Sequence, residues 1–353
     1  MNDVAPGQQM ITEIREQPEA VARLLDEEMK RVGGILMRRG GALPKFVCIA
    51  ARGTSDHAAI YAKYLFETLC GVPVALAAPS VITAYGGSLR AEGGLFIGIS
   101  QSGEAADVLA VIEDAKKGGG DTLALTNVPD SPLAQMAAEV IPLHAGPETA
   151  VAATKTYMNS LAAALLLVVT LKGDDALRTA LASLPELVAE AIRGENLIRE
   201  KAAEFKAMEE CCVLARGYDL ANAHELSLKL RETCYMRAQP FATPDFVHGP
   251  IAVVEKDYPV VLFANEGAVL PSVMEVMAKV EALEARTVVI GNAGAPLDRA
   301  ATAFPVNRGS DVPEPLSPLP AIAVGQILAC ALSVMKGVDP DQPRGLNKVT
   351  ITR

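Results

Sequence analysis

The sequence predicts a duplicated α/β protein with a parallel sheet in each copy, and three observations predict it. Continuous apolar runs that suit strands buried on both faces are followed by polar turns, as in Phe46-Val47-Cys48-Ile49-Ala50 before Arg52-Gly53-Thr54-Ser55-Asp56. Strand–turn pairs then recur at a nearly constant offset. Arg52-Gly53 returns as Arg216-Gly217 and Phe96-Ile97-Gly98-Ile99 as Val260-Val261-Leu262-Phe263, each 164 positions on, and Asn127 returns as Asn292 after 165. Finally, the cycle of strand, turn and helix implies parallel strands joined by right-handed crossovers.

Taken in order, residues 1 to about 40 read as helix, with Ile11, Ile14, Val21, Leu24 and Leu25 at helical spacing and breaks at Gly33-Gly34 and Gly40-Gly41. A strand at 46–50 leads into a helix through Tyr61, Leu65 and Leu69. A second strand at 95–99 ends in Ser100-Gln101-Ser102-Gly103-Glu104 and a helix through Val108, Leu109 and Ile112. Residues 122–125 and 140–143 supply two more strands, and a long apolar helix begins near Thr154. A helix over about 176–208 is expected to link the copies. The second copy has strands at 212–215, 260–263 and 288–291. Its first helix carries His224-Glu225-Leu226-Ser227-Leu228-Lys229-Leu230-Arg231-Glu232, apolar on one side, with Lys229 and Glu232 sharing a face and Glu225 one turn before. Such a face is equally what a solvated helix presents. Pro240, Pro244 and Pro250 put His248 on an irregular segment. The expected division is an N-terminal helical segment over 1–35, a first domain over 36–180, a linker helix over 181–200, a second domain over 201–338 and a tail over 339–353.

Half the residues are hydrophobic and 21% are charged, with a net charge of −10 and a pI of about 5.1. That balance excludes a disordered chain and argues against nucleic acid or an anionic membrane surface as partner. A small anion remains open, because helix N-termini bind anions without net positive charge. The six cysteines form no C-x-x-C pair, which fits a reduced, cytoplasmic compartment. No signal-peptide pattern opens the sequence, and the longest apolar run, 161–171, is about half a membrane span and reads as a buried helix. The four histidines lack metal-ligand spacing, so neither metal nor cofactor is expected.

The two copies differ in their turns. The first carries hydroxyls at both strand ends, Thr54-Ser55 and Ser100-Gln101-Ser102, with Gly53 and Gly103 allowing close backbone approach. Hydroxyls and free N–H groups at two adjacent helix N-termini make a phosphate cradle, although Ser and Thr also cap helices for structural reasons alone. The second copy has Tyr218-Asp219 and Asn265-Glu266 at the matching turns and carries Lys229, Glu232 and His248 instead. The first copy is therefore expected to hold an anionic substrate and the second to act on it by proton transfer.

These residues resemble a known family. Gly53-Thr54-Ser55, Ser100-Gln101-Ser102-Gly103-Glu104, Val151-Ala152-Ala153-Thr154-Lys155, Leu228-Lys229-Leu230-Arg231-Glu232, His248-Gly249-Pro250 and the tail from Asp341 to Thr350 are similar to the double-SIS (sugar isomerase) proteins, and most of all to the isomerase half of glucosamine-6-phosphate synthase. The resemblance covers nearly the whole chain from about residue 30. It implies two tandem SIS domains, each a doubly wound parallel sheet flanked by helices. It further implies that Ser55, Ser100, Gln101 and Ser102 bind the substrate phosphate, with Gly53, Thr54, Val151, Ala153 and Thr154 around the sugar. Glu232 would move a proton between C1 and C2 with Lys229 beside it, and His248 would open the sugar ring in the neighbouring subunit of a homodimer. Lys348 on the tail would be an amine able to form an imine with the open-chain ketose.

Three departures shape the expected activity. The synthase begins with a glutaminase domain whose nucleophile is a cysteine after the initiator methionine, whereas this sequence has Asn2 and about 40 residues before its first strand. Ammonia from glutamine is therefore not expected. Ala105 and Ala153 replace a threonine and a serine of the pattern, each at a cost of about 1 kcal/mol in phosphate or sugar contacts. The resemblance thus implies a stand-alone deaminase that turns glucosamine 6-phosphate into fructose 6-phosphate and ammonia. Two alternatives keep the chemistry and change the sugar: a galactosamine-6-phosphate deaminase/isomerase and a fructosamine-6-phosphate deglycase. A third is a non-catalytic sugar-phosphate sensor, which would more often be a single copy joined to a DNA-binding segment.

Overall fold

The computed structural model describes residues 5–38, 42–307 and 312–348. Gly40, Gly41, Val349 and Thr350 lie outside them. The chain opens with helices α1 (Gln8–Arg15) and α2 (Gln17–Arg38). The first copy follows as β1 (Phe46–Ala50), α3 (Thr54–Leu65), β2 (Val74–Leu76), α4 (Ser80–Thr83), β3 (Gly94–Ile99), α5 (Ala106–Lys117), β4 (Asp121–Thr126), α6 (Pro132–Met136), β5 (Glu139–Pro142) and α7 (Lys155–Lys172). Helices α8 (Asp175–Leu181), α9 (Leu184–Arg193) and α10 (Glu195–Ala202) come next. The second copy is β6 (Glu210–Ala215), α11 (Leu220–Cys234), β7 (Arg237–Ala242), α12 (Thr243–Val247), β8 (Pro259–Phe263), α13 (Leu270–Ala282), β9 (Arg286–Gly291), β10 (Thr302–Pro305) and α14 (Pro318–Met335).

Both sheets are five-stranded and wholly parallel, with orders β2-β1-β3-β4-β5 and β7-β6-β8-β9-β10. The duplication expected from three strand–turn pairs therefore extends to every strand. It extends to helices as well: α14 repeats α7 163 positions on, end to end. The stripe Val108, Val111, Ile112 and Ala115 on α5 returns as Val273, Val276, Met277 and Val280 on α13, 165 positions on, each buried against its own sheet. Spacing of three and four residues is what turns those side chains to one helical face.

The single helix expected over about 176–208 is instead α8, α9, α10 and a short 3-10 turn. Ala182-Ser183 and Gly194 interrupt it. Helix α14 is long and apolar enough to cross a membrane, but 89% of its most apolar stretch is buried inside the protein, as is nearly all of α7. Five of the six free cysteines are buried, and burial pushes the Cys48 and Cys234 thiols up to about 11, so these behave as small apolar groups.

The chain forms two compact units. One comprises 19–148, 155–183 and the residues from 347 on; the other comprises 1–18, 149–154 and 184–346.

Candidate active site

In the unit built on the first sheet, strand order reverses between β1 and β3, and open parallel sheets bind ligands beyond the carboxyl ends of the strands at that switch point. Both hydroxyl-bearing turns lie there. After β1, Gly53 has φ +55° and ψ −130°, a conformation that side chains resist, and the Ser55 and Asp56 N–H groups donate back to Arg52 O and Gly53 O at 3.1 and 3.0 Å. Thr54 and Ser55 thereby enter the first turn of α3, half-buried. After β3, the buried Ser100 hydroxyl accepts from Gly103 N at 3.1 Å, and Ser102 Oγ accepts from Glu104 N at 3.3 Å. Gly103 has φ +67°, and a Cβ there would fall 2.1 Å from Ser131 Oγ, so only glycine fits. Arg52 laces the two turns together through Nε and Nη2, 2.9 and 2.6 Å from Asp107 Oδ2 on α5. The N-cap positions of α3 and α5 are Gly53 and Ala105, neither of which has a side chain to cap with. Both hydroxyl-bearing turns thus stand at helix N-termini whose N-cap residues make no side-chain cap.

The same unit contains an ion pair that sequence reasoning missed. Glu148 is buried, and its carboxylate accepts from Thr156 N at 3.0 Å and Thr156 Oγ1 at 2.7 Å, at the first turn of α7. The Lys348 Nζ then donates to Glu148 Oε2 at 2.6 Å across 200 positions of sequence. The candidate lysine on the tail is thus seated on a carboxyl group that is also bonded to the first turn of α7. A cavity of about 520 Å³ opens between Gln101 and Glu148, with Asn127, Pro129 and His144 in its wall.

In the other unit, α11 carries the acid/base candidates, and its charged face is not solvated. Lys229 is 1% exposed, with Nζ 2.6 Å from Glu232 Oε2 and 3.5 Å from Glu225 Oε1. The Glu225 side chain has no exposure, whereas that of Glu232 keeps 24%. The expectation of a helix apolar on one side is corrected accordingly: Ala221, Asn222, Glu225, Leu226, Ser227, Lys229 and Leu230 are all buried. An amine held between two carboxylates inside a protein, with one of the three groups open to the surface, is costly unless paired and is typical of functional sites.

His248 lies, as expected, outside regular structure, in the turn between α12 and a 3-10 turn at Pro250–Val253, but the prolines do not keep helix out of the segment. Pro240 lies in β7, an edge strand that tolerates a missing donor, and Pro244 lies in the first turn of α12, where its N–H would be unpaired anyway. His248 is the exposed C-cap of α12, with its N–H donating to Asp245 O at 3.2 Å. Val151 and Ala153 are half-buried and Thr154 is buried. Their loop is held by Glu13 Oε1, which accepts from Thr149 N at 2.5 Å and Ala150 N at 3.2 Å. Gln326 Nε2 adds a bond to Thr154 O at 3.3 Å.

At the second copy's switch point, between β6 and β8, the protein places a buried carboxyl group of its own. Asp219 is buried and accepts from Asn222 Nδ2 at 2.9 Å and Asn265 Nδ2 at 2.8 Å, while Asn265 Oδ1 accepts from Asn292 N at 3.1 Å. Burial pushes the Asp219 carboxyl up to about 7, against the two amide donors, which lower it. The folded state then keeps a proton that the unfolded chain, with its value near 3.8, gives up, so this group's contribution is greatest below about pH 4 and is lost as pH rises toward 7. Asp219→Asn is expected to lower Tm overall, because one amide donor then faces another, and to flatten the fall of Tm between about pH 4 and pH 7. A variant that keeps the wild-type slope would remove this role from Asp219.

Comparison with known proteins agrees with the duplicated fold. The SIS domain model matches residues 44–170 and 207–311. A glutamine–fructose-6-phosphate aminotransferase (isomerizing) of Methanothermobacter thermautotrophicus is 34% identical over 340 residues, which is 96% of this chain and 56% of that protein. The chain thus spans a little over half the length of such relatives. A crystal structure from Silicibacter pomeroyi, of a protein provisionally assigned as a phosphosugar isomerase, is 36% identical with a TM-score of 0.83, covering 94% of this chain and 99% of that one. The C-terminal domain of glucosamine-fructose-6-phosphate aminotransferase from Francisella tularensis is 27% identical with a TM-score of 0.82, covering 95% and 98%. With two matched segments, two sheets of one topology and a shared offset, the chain belongs to the SIS domain family as a tandem double-SIS protein.

Proposed function

We propose that the chain is a sugar-phosphate isomerase that releases ammonia, converting glucosamine 6-phosphate and water to fructose 6-phosphate and ammonia. The observation that carries this reading is the buried Lys229 between Glu225 and the partly exposed Glu232. A carboxylate so placed can take a proton from one carbon and return it to the next, with the neighbouring ammonium steadying the charge that develops on the sugar oxygen. Ser55, Ser100, Gln101 and Ser102 would hold the phosphate at the two helix N-termini. His248, exposed at the end of α12, would open the sugar ring in the partner subunit of a homodimer.

The steps balance without a redox partner. Ring opening frees the C1 aldehyde; Glu232 removes the C2 proton to give an enolamine and delivers it to C1, leaving an imine at C2. Lys348 can displace ammonia from that imine to form its own, and water then hydrolyses the lysine imine to the ketose. Before Nζ attacks it must lose a proton, and Glu148, 2.6 Å away, is the acceptor in place.

A second reading is favoured by the cavity of about 520 Å³ between Gln101 and Glu148, which leaves room for a substituent on the amine, as in a fructosamine 6-phosphate. Parallel assays decide between them. Ammonia release is measured with glucosamine 6-phosphate and galactosamine 6-phosphate, and amine release with a fructosamine 6-phosphate, each beside its unphosphorylated parent. The expected result is turnover of glucosamine 6-phosphate, with KM for the unphosphorylated sugar raised about a hundredfold or more, as befits several lost charge-assisted bonds. Equal turnover of phosphorylated and free sugars would reject the cradle.

A further inference from the structure

We infer that Tyr235 is a positioning residue: it docks the lysine-bearing tail onto the end of the helix that carries Lys229 and Glu232. The inference rests on the reading in which Lys348 acts on the substrate. Tyr235 closes α11 in the left-handed conformation, with φ 55° and ψ 32° and its N–H donating to Leu230 O. A bulky aromatic residue is a genuine outlier there, since helices ending this way ordinarily use glycine. The strained residue makes two contacts with one tail residue. Its hydroxyl accepts from Arg344 N at 2.8 Å, and the Arg344 guanidinium lies over its ring, 4.1 Å from the centroid. A glycine could close the helix but could not do either. Strain retained where it supports a specific contact points to a task beyond the cap.

The tail is fastened a second time just upstream. Asp341, 5% exposed, accepts from Gln9 N at 2.9 Å and Met10 N at 2.8 Å at the start of α1, and Asp339 Oδ1 accepts from Gly7 N at 3.0 Å. Only three residues, Gly345, Leu346 and Asn347, separate Arg344 from Lys348, so the four steps between them reach at most about 14 Å. Fixing the Arg344 backbone therefore restricts the stretch of tail that leads to Lys348, and the fixing post is the C-terminus of α11.

The test compares Tyr235→Gly, Tyr235→Phe and Arg344→Ala in the full chain. Three quantities are read: Tm, deuterium exchange of the tail peptide over 341–348, and kcat with KM for amino-sugar phosphate. Tyr235→Gly relieves the backbone strain, so its Tm is expected to stay at or above wild type while tail exchange and kcat change in opposite directions. Exchange should rise, and kcat should fall, by about tenfold, the scale of one hydrogen bond, with KM changed less. Tyr235→Phe should reproduce part of this through the lost hydroxyl, and combining it with Arg344→Ala should add less than either effect alone. Wild-type tail exchange in Tyr235→Gly overturns the inference, and so does a loosened tail with unchanged kcat. If the wild-type protein turns over no amino-sugar phosphate, the functional reading fails by itself, and the exchange experiment alone then decides the docking.

Discussion

Glu232→Gln is expected to lower kcat for amino-sugar phosphate turnover by about a thousandfold with KM little changed, the scale of a lost general base. The substitution suits the question because it preserves shape. Glutamine can still accept from the Lys229 ammonium through its amide oxygen, now 2.6 Å from the carboxylate, so α11 keeps its packing. What disappears is the group that takes and returns a proton. Because 24% of the Glu232 side chain is exposed while Glu225 is fully buried, Glu232 is the carboxylate of the pair that a substrate can reach. Normal ammonia release by Glu232→Gln, measured at saturating substrate, would take the proton transfer away from this residue.

Lys229→Met is expected to cost about 3–5 kcal/mol of folding stability, besides its effect on turnover, because it removes the cation that stands 3.5 Å from the fully buried Glu225 carboxylate. Lys229 is 1% exposed and the Glu225 side chain not at all, so water cannot take the place of the lost cation. Glu232 contributes less to this penalty, since it reaches solvent. Urea denaturation measures the loss. The double variant Lys229→Met/Glu225→Gln should recover much of the stability, because both charges are then gone, but none of the activity. If Lys229→Met unfolds at the wild-type urea midpoint, the amine is not balancing a buried charge and the triad has been misread.

How much of this was legible in the sequence follows from burial and reach. The six inner strands, β1, β3, β4, β6, β8 and β9, are continuous apolar runs because both faces are covered, and all six can be read directly. The strands that escape notice, β2, β7 and β10, are all at sheet edges. β2 has three residues, and β7 and β10 carry Pro240 and Pro305 beyond their first residue, which an edge position tolerates. Lys229 and Glu232 were legible as neighbours on one helix, but their burial was not, because it depends on β7 and α14 packing around α11. Glu148 gave no local signal: its partners are Thr156, eight positions on, and Lys348, two hundred on. Tyr235 was hidden for a related reason, since nothing in Thr233-Cys234-Tyr235 announces a left-handed aromatic cap. Asp219 could be seen to be unsuited to phosphate, but not to occupy the second switch point with a carboxyl group held by Asn222 and Asn265.

The proposed activity is conversion of glucosamine 6-phosphate and water to fructose 6-phosphate and ammonia. Its most direct test is the stoichiometry of the reaction with glucosamine 6-phosphate and no glutamine present, followed for ammonia and ketose phosphate together. The account predicts one ammonia and one fructose 6-phosphate for each amino sugar consumed. Saturable binding of amino-sugar phosphates with no turnover of any of them would contradict it.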